Sequence, residues 1–255
     1  MGQQIPSDTQ RCLKPFLWRN YLWPGIVAIA ALAIIPWGAE TFWASHRLLR
    51  AAPVESLFHL CLQLADPWAV VLAGALIWTL DRPRRRFLVY LLVGLILAGS
   101  LNAVLKEIGG RARPEWSIAL DGNRLDDVNH FARDNPNLRF RTDKTDQWLL
   151  LSPNRPWFKD WFSSFPSGHA CAAFGLMAFL SVLYPRARMV FLLFAVGCAL
   201  ARVRSSHHYL EDVMFGGALG WSVVVWVCSW RWPLGLGLWI GGVRVRAVLE
   251  PIHPG

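Results

Sequence analysis

The chain is 255 residues long, 54% hydrophobic and 17% charged, with five cysteines and a formal net charge of +9. A soluble domain carries roughly 25% charged residues, so this balance excludes an ordinary soluble protein. The abundance of Leu, Val, Ile, Phe and Trp excludes disorder, and so few cysteines in a chain of this size exclude a disulfide-held secreted scaffold. The class that remains is an all-α polytopic membrane protein.

Met1 to Thr9 reads as a loose polar tail. A hydrocarbon core about 30 Å thick needs roughly 20 apolar residues per helix, and the uncharged run 21–39 meets that length. Its long polar leader, with no small-x-small cleavage pattern close behind, predicts a retained helix and not a secretory signal. A second span is expected at 67–80, extended backwards through 54–64, and a third at 87–104. The runs 170–184 and 189–201 are short, but Pro185-Arg186-Ala187-Arg188 between them is a tight basic turn suited to an antiparallel helical hairpin. The uncharged run 213–230 completes six predicted spans. Trp23, Trp37, Trp68, Trp78, Trp221, Trp230 and Trp232 lie near run ends, where aromatic belts form.

Arg82, Arg84, Arg85 and Arg86 crowd one break between apolar runs, and Arg186 and Arg188 fill another. A nucleic-acid surface gathers its cations on one solvated face; cations in short inter-span breaks mark cytoplasmic loops. Both termini are then cytoplasmic, in keeping with Arg11, Lys14 and Arg19 before the first span and Arg231, Arg244 and Arg246 after the last. The segments 106–169 and 202–212 face outward, which in a Gram-negative inner membrane means the periplasm. The hydrophilic segment 115–165 is expected to form a cap on the outer face of one membrane domain covering 1–255. Its patches Trp148-Leu149-Leu150-Leu151, Trp157-Phe158 and Trp161-Phe162 suit either rest on the membrane surface or packing within the cap. No disulfide is expected, and no His/Cys spacing suggests zinc.

Three polar clusters end on the same predicted face: Lys106 to Arg113-Pro114, Phe165-Pro166-Ser167-Gly168-His169, and Ala201-Arg202 to Asp212. Ionisable groups beside membrane spans are costly and call for a functional reading. Lys106, Arg113 and Arg202 supply three cations, and guanidinium forks suit phosphoryl oxygens. Ser167 and the Gly168 N–H stand at a helix start, where unpaired amides favour an anion. Phosphoryl transfer is catalysed largely by positioning and charge stabilisation. A sixth helix beginning near His207 would put His208 and Asp212 on one face, so that the carboxylate accepts the Nδ1 proton and aims Nε2 outward as a nucleophile. His169 is then the general acid. His207 is off this spacing. Arg111, Arg204, Glu107 and Glu211 read as solvated charges or supports behind the site, His46 and His59 as interfacial groups, and His130 as a solvated loop residue.

With these residues the chain resembles the type 2 phosphatidic acid phosphatase superfamily, whose pattern is K-x6-RP, then PSGH, then SR-x5-H-x3-D. Lys106 to Arg113-Pro114 and Pro166 to His169 match the first two in full; the third matches at Arg202, His208 and Asp212 and departs at Ala201, where the pattern has Ser. The resemblance implies a phosphohistidine at His208, oriented by Asp212, with His169 as acid/base and Lys106, Arg113, Ser167, Gly168 and Arg202 holding phosphate. It implies no metal and no cofactor. The implied substrate is a membrane lipid phosphate or pyrophosphate, namely phosphatidylglycerol phosphate, undecaprenyl pyrophosphate or phosphatidic acid. A lipid A phosphatase or a lipid phosphotransferase is the alternative within the same chemistry, and an anion or lipid-phosphate transporter the alternative outside it. Oligomeric state has no signature in the sequence.

Overall fold

The computed structural model describes residues 7–51, 55–63, 65–114 and 163–230. The expected cap lies outside the described residues except for 163–165, as do His130, Trp232 and the basic residues after the last span. Among the described residues every regular element is helical: α1 (Ser7–Ile34), α2 (Gly38–Ala51), α3 (Glu55–Gln63), α4 (Pro67–Leu80), α5 (Leu88–Gly109), α6 (Gly168–Leu183), α7 (Arg188–Arg204) and α8 (Leu210–Cys228).

Three features differ from expectation. Helix α1 begins at Ser7, inside the predicted tail, because Gln10, Arg11, Leu13 and Lys14 all favour helix. Helix α2 was not anticipated, since a search for uncharged runs passes over Thr41 to Leu49; Phe42, His46 and Leu49 recur at helical spacing and turn inward. The span expected to run unbroken through 54–80 is bent by 70° between Ser56–Gln63 and Pro67–Leu80. Pro67 opens α4 behind Asp66, whose backbone is extended at φ −77 and ψ 151; a proline lacks the N–H that would continue the preceding helix and its ring collides with that helix's carbonyls.

By length and apolarity, Arg82–Gly109 and Leu210–Cys228 are each able to cross a membrane, and the bent α3–α4 pair makes a third if it counts as one span. Tyr21–Trp37 and Gly168–Leu183 are shorter apolar helices. The described helices therefore do not reach six spans on these criteria alone; α6 starts at the PSGH motif and α7 ends in Arg202 and Arg204, so polar residues shorten both.

Helix α8 is the centre of the bundle and packs on α6, α1 and α5. Its Trp221 is fully buried and meets Trp23 of α1 edge to face at 5.0 Å. A Cβ on Gly216 would collide with the Ser167 backbone, so the glycine lets α8 approach the start of α6. Between apolar helices in lipid such close van der Waals packing is the main source of association. Leu92, Ile96, Leu101 and Val104 of α5 and Val190 and Leu193 of α7 face outward instead.

At one end of the bundle the two basic turns meet. Tyr184 donates to Asp81 Oδ2 at 2.9 Å, Arg84 donates to the same oxygen at 2.5 Å, and the Arg84 guanidinium lies over the Tyr184 ring at 4.9 Å. The three polar motifs occupy the opposite end, where α5 finishes and α6 and α8 begin.

Candidate active site

Lys106 lies in the last turn of α5. Gly110 ends that helix in the left-handed conformation at φ 57, with its N–H donating to the Lys106 carbonyl at 3.0 Å, a conformation that costs glycine little. The turn releases Arg111-Ala112-Arg113 alongside residues 163–164. Ser164 N–H donates to the Arg111 carbonyl at 3.0 Å, and Arg113 Nη2 donates to Ser163 Oγ at 3.1 Å. Three residues after Ser164, Ser167 caps α6, its Oγ accepting from Ala170 N–H at 3.4 Å, while its own N–H donates to the Asp212 carbonyl at 3.0 Å. A Cβ on Gly168 would stand 3.7 Å from Lys106 Nζ. The first and second motifs thus share one small volume, and Asp212 pins the second to the third.

Helix α8 starts at Leu210, after His208, not near His207. Tyr209 is the N-cap and Asp212 the third helical residue, and the Asp212 carboxylate caps the helix by accepting Tyr209 N–H at 3.0 Å. His208 therefore does not share a helix face with Asp212. Its Nδ1 is 3.9 Å from Asp212 Oδ2 and donates instead to the Ser164 carbonyl at 2.8 Å. The orienting group is a backbone oxygen from the segment before PSGH.

The Asp212 carboxylate makes its hydrogen bonds to other groups. Arg111 Nη1 donates to Oδ1 at 2.5 Å, and Ser164 Oγ donates to Oδ2 at 2.5 Å. Arg111 Nη2 donates to Glu211 Oε1 at 2.6 Å, and its guanidinium stacks on Tyr209 at 3.9 Å. Arg111, Glu211 and Asp212 are all completely buried, which corrects the solvated reading of Arg111 and Glu211 and leaves them as supports behind the site. His46 is also buried, stacked on Phe42 at 5.0 Å with Nε2 3.0 Å from Ser206 Oγ, and is not interfacial. His207 turns onto its own loop, Nδ1 lying 2.9 Å from the Ser205 carbonyl. Arg204 sits over Phe58 at 5.9 Å.

The charges of Arg202, Lys106 and Arg113 act on both His169 and His208, so the structure gathers all three cations around the two imidazoles. Burial first, and then those three charges, hold the His208 imidazole well below the usual histidine range, against the Ser164 carbonyl, which favours the proton. The Nδ1–H bond to the Ser164 carbonyl selects the tautomer in which Nε2 carries no proton when the ring is neutral. No group of three or more His, Cys, Asp or Glu side chains able to hold a metal ion occurs among the described residues.

Sequence reasoning missed Ser164, which touches Arg111, His208 and Asp212 at once. Its one signal was the polar pair Ser163-Ser164 set between the aromatic Trp161-Phe162 and Phe165.

An apolar-faced helical bundle with cations and two imidazoles gathered at one end is the anatomy of a membrane protein that handles phosphate. The chain belongs to the PAP2 superfamily, whose family model matches residues 87–236. Lipid A 1-phosphatases of Rhizobium etli and Rhizobium johnstonii are 39% identical to it over 59 residues, 23% of this chain and 25% and 24% of those proteins. The match thus spans about a quarter of the curated relatives' length. The crystal structure of Aquifex aeolicus LpxE is similar with a TM-score of 0.48 and 17% identity, covering 72% of this chain and 93% of that one.

Proposed function

We propose that the chain is an integral membrane lipid phosphatase that removes the terminal phosphate of a lipid phosphate or pyrophosphate through a phosphohistidine on His208. The observation that carries this reading is the hydrogen bond from His208 Nδ1 to the Ser164 carbonyl. That bond fixes the tautomer and turns Nε2 to the cation cluster, the arrangement that a nitrogen nucleophile needs.

Lys106, Arg113 and Arg202, with Ser167 and the Gly168 N–H, seat the phosphoryl group and offset its charge. His208 Nε2 attacks phosphorus, the bond to the leaving oxygen breaks, and His169 protonates that oxygen. His169 then removes a proton from water, which attacks the phosphohistidine; the P–N bond breaks and releases inorganic phosphate and His208. Asp212 supports this through its bonds to Ser164 and Arg111, with its Oδ2 3.9 Å from His208 Nδ1. Six spans, a single domain over 1–255 capped by 115–165, an outward-facing site and cytoplasmic termini complete the reading, supported by the placement of the arginine turns at the end of the bundle away from the motifs.

Phosphatidylglycerol phosphate, undecaprenyl pyrophosphate and phosphatidic acid are the substrates for the first assay. The identity to lipid A 1-phosphatases favours a second reading in which the glycosyl phosphate of lipid A is the substrate; transfer of the phosphate to another lipid is a variant of the same chemistry. Phosphate release by the purified protein in detergent, with chelator present and His208→Ala as control, tests all of these. Chelator-resistant release abolished by the substitution is expected. Absence of release from every lipid by a folded protein sinks the hydrolase reading in favour of transfer or transport.

A further inference from the structure

Asp66 belongs to none of the three motifs, but the packing of α4, α6 and α7 brings it level with them. It stands at the 70° bend between Ser56–Gln63 and Pro67–Leu80 and is half-buried. Ile77 of α4, Leu180 of α6 and Phe191 of α7 line one cavity beside Asp81 and Tyr184, at the end of the bundle away from the motifs. Asp66 lies eleven residues before Ile77, His169 eleven before Leu180, and Arg202 eleven after Phe191. Eleven helical residues make three turns, a rise of about 16 Å, and return to nearly the same face. The three charged groups are therefore at one level, at the motif end. A second set of contacts agrees: Ala65 packs against Cys61, Ala173 and Cys198. Ala173 is one turn from His169 on α6 and Cys198 one turn from Arg202 on α7, and residues four apart share a helix face. Aspartate is a favoured N-cap, but Asp66 makes no side-chain capping bond to α4. Its charge is felt at His169 instead. Burial, and then the charges of Arg202, Lys106 and Arg113, lower the His169 imidazole to about 4, and Asp66 is the charge that opposes them. Asp66 is not among the leading charges at His208, on which the same three cations act.

We propose that Asp66 is a positioning residue for the general acid, its carboxylate at the α3–α4 bend serving as the counter-charge for the His169 imidazolium that gives its proton to the leaving oxygen. The proposal rests on the phosphatase reading for the role of His169. The charged groups about His169 are Arg202 from α7, Lys106 from α5, Arg113 from the segment after α5, and Asp66; His208, ahead of α8, shares the three cations. Three cations seat a phosphate, but they also drive the proton from a general acid. A carboxylate placed by His169 and not by His208 separates the two rings: the acid is helped to hold a proton, and the nucleophile is left without one.

The test uses the full chain in detergent with Asp66→Asn and Asp66→Glu. Asparagine is as good an N-cap as aspartate, so Asp66→Asn is expected to unfold close to wild type. Two quantities are read: the pH profile of kcat/KM on the lipid that the wild type hydrolyses, and the titration midpoint of the His169 ring by NMR of histidine-labelled protein, its signal identified by loss in His169→Gln. In Asp66→Asn the alkaline limb and the His169 midpoint should both move towards acid by about half to one pH unit, with a loss of about 3- to 10-fold in kcat at pH 7. KM should not rise, since the change removes an anion beside the phosphate seat, and Asp66→Glu should recover most of the loss. Ionisation of the substrate is common to all variants and cancels in the comparison. A loss that is the same at every pH, with the His169 midpoint unmoved, overturns the proposal and makes Asp66 a structural residue. A raised KM with an unshifted limb overturns it too, since that is the signature of a carboxylate that holds Arg202. Should the wild type release no phosphate from any lipid, the NMR midpoint decides alone: a shift in Asp66→Asn keeps the pairing with His169 while the hydrolase reading fails, and no shift overturns both.

Discussion

His208 Nδ1 lies 2.8 Å from the carbonyl oxygen of Ser164, 44 positions earlier in the chain. The partner is a main-chain atom, so substitution at Ser164 leaves the ring's anchor in place. Ser164→Ala removes only the hydroxyl bond to Asp212, whose Oδ2 keeps the Tyr209 N–H, and is expected to lower activity by about tenfold or less, at a cost of about 1–3 kcal/mol in stability for the lost hydrogen bond to a charged group. His208→Ala removes the nucleophile and is expected to cost about four orders of magnitude or more, whereas His207→Ala should stay within a few-fold of wild type. Phosphate-release rates for the three variants give the ranking; equal losses at His207 and His208 would refute the assignment of the nucleophile.

Arg111 bonds both Asp212 and Glu211. Removing one partner of a buried ion pair strands the other charge at about 3–5 kcal/mol, so Arg111→Met is expected to unfold at markedly lower temperature than wild type. Arg111→Lys keeps the charge but loses the fork that reaches two carboxylates, and should fall between the two. Unfolding curves in detergent supply the order; an Arg111→Met protein as stable as wild type contradicts the buried cluster.

The depressed proton affinity of His208 links stability to pH. Its folded-state value lies well below 6.5, so the unfolded chain takes up the proton first on acidification. The contribution is fully present above about pH 6.5 and is lost as pH falls towards the folded-state value. Unfolding temperature should therefore drop between pH 7 and pH 5, and His208→Gln, which cannot titrate, should show a shallower drop. Identical slopes in the two proteins rule the link out.

Gly216→Ala places a methyl group against the Ser167 backbone. Overpacking of this kind costs about 1–3 kcal/mol, and here it also pushes the start of α6 away from α8. The variant should lose activity beyond its loss of stability, measured as kcat/KM on folded protein. A stable, fully active Gly216→Ala would show that α8 and α6 have room to separate without disturbing the phosphate seat.

The amino-acid sequence determined the all-helical character, the order of the apolar runs, the two basic turns and the three motifs, because hydrophobicity, charge and residue spacing are local properties of the chain. It also carried the pattern by which the chain resembles its superfamily. Only the tertiary structure decided who holds His208. The spacing of His208 and Asp212 invited a contact along one helix, but a capping carboxylate belongs to the first turn, so Asp212 starts the helix after His208 and turns to Tyr209, Ser164 and Arg111. Burial of Arg111 and Glu211 was equally invisible, since charged residues beside a span look the same in sequence whether they meet water or each other. The role of Ser164 depends on a loop from before α6 folding back across the start of α8, and a backbone carbonyl has no residue type by which a sequence can announce it.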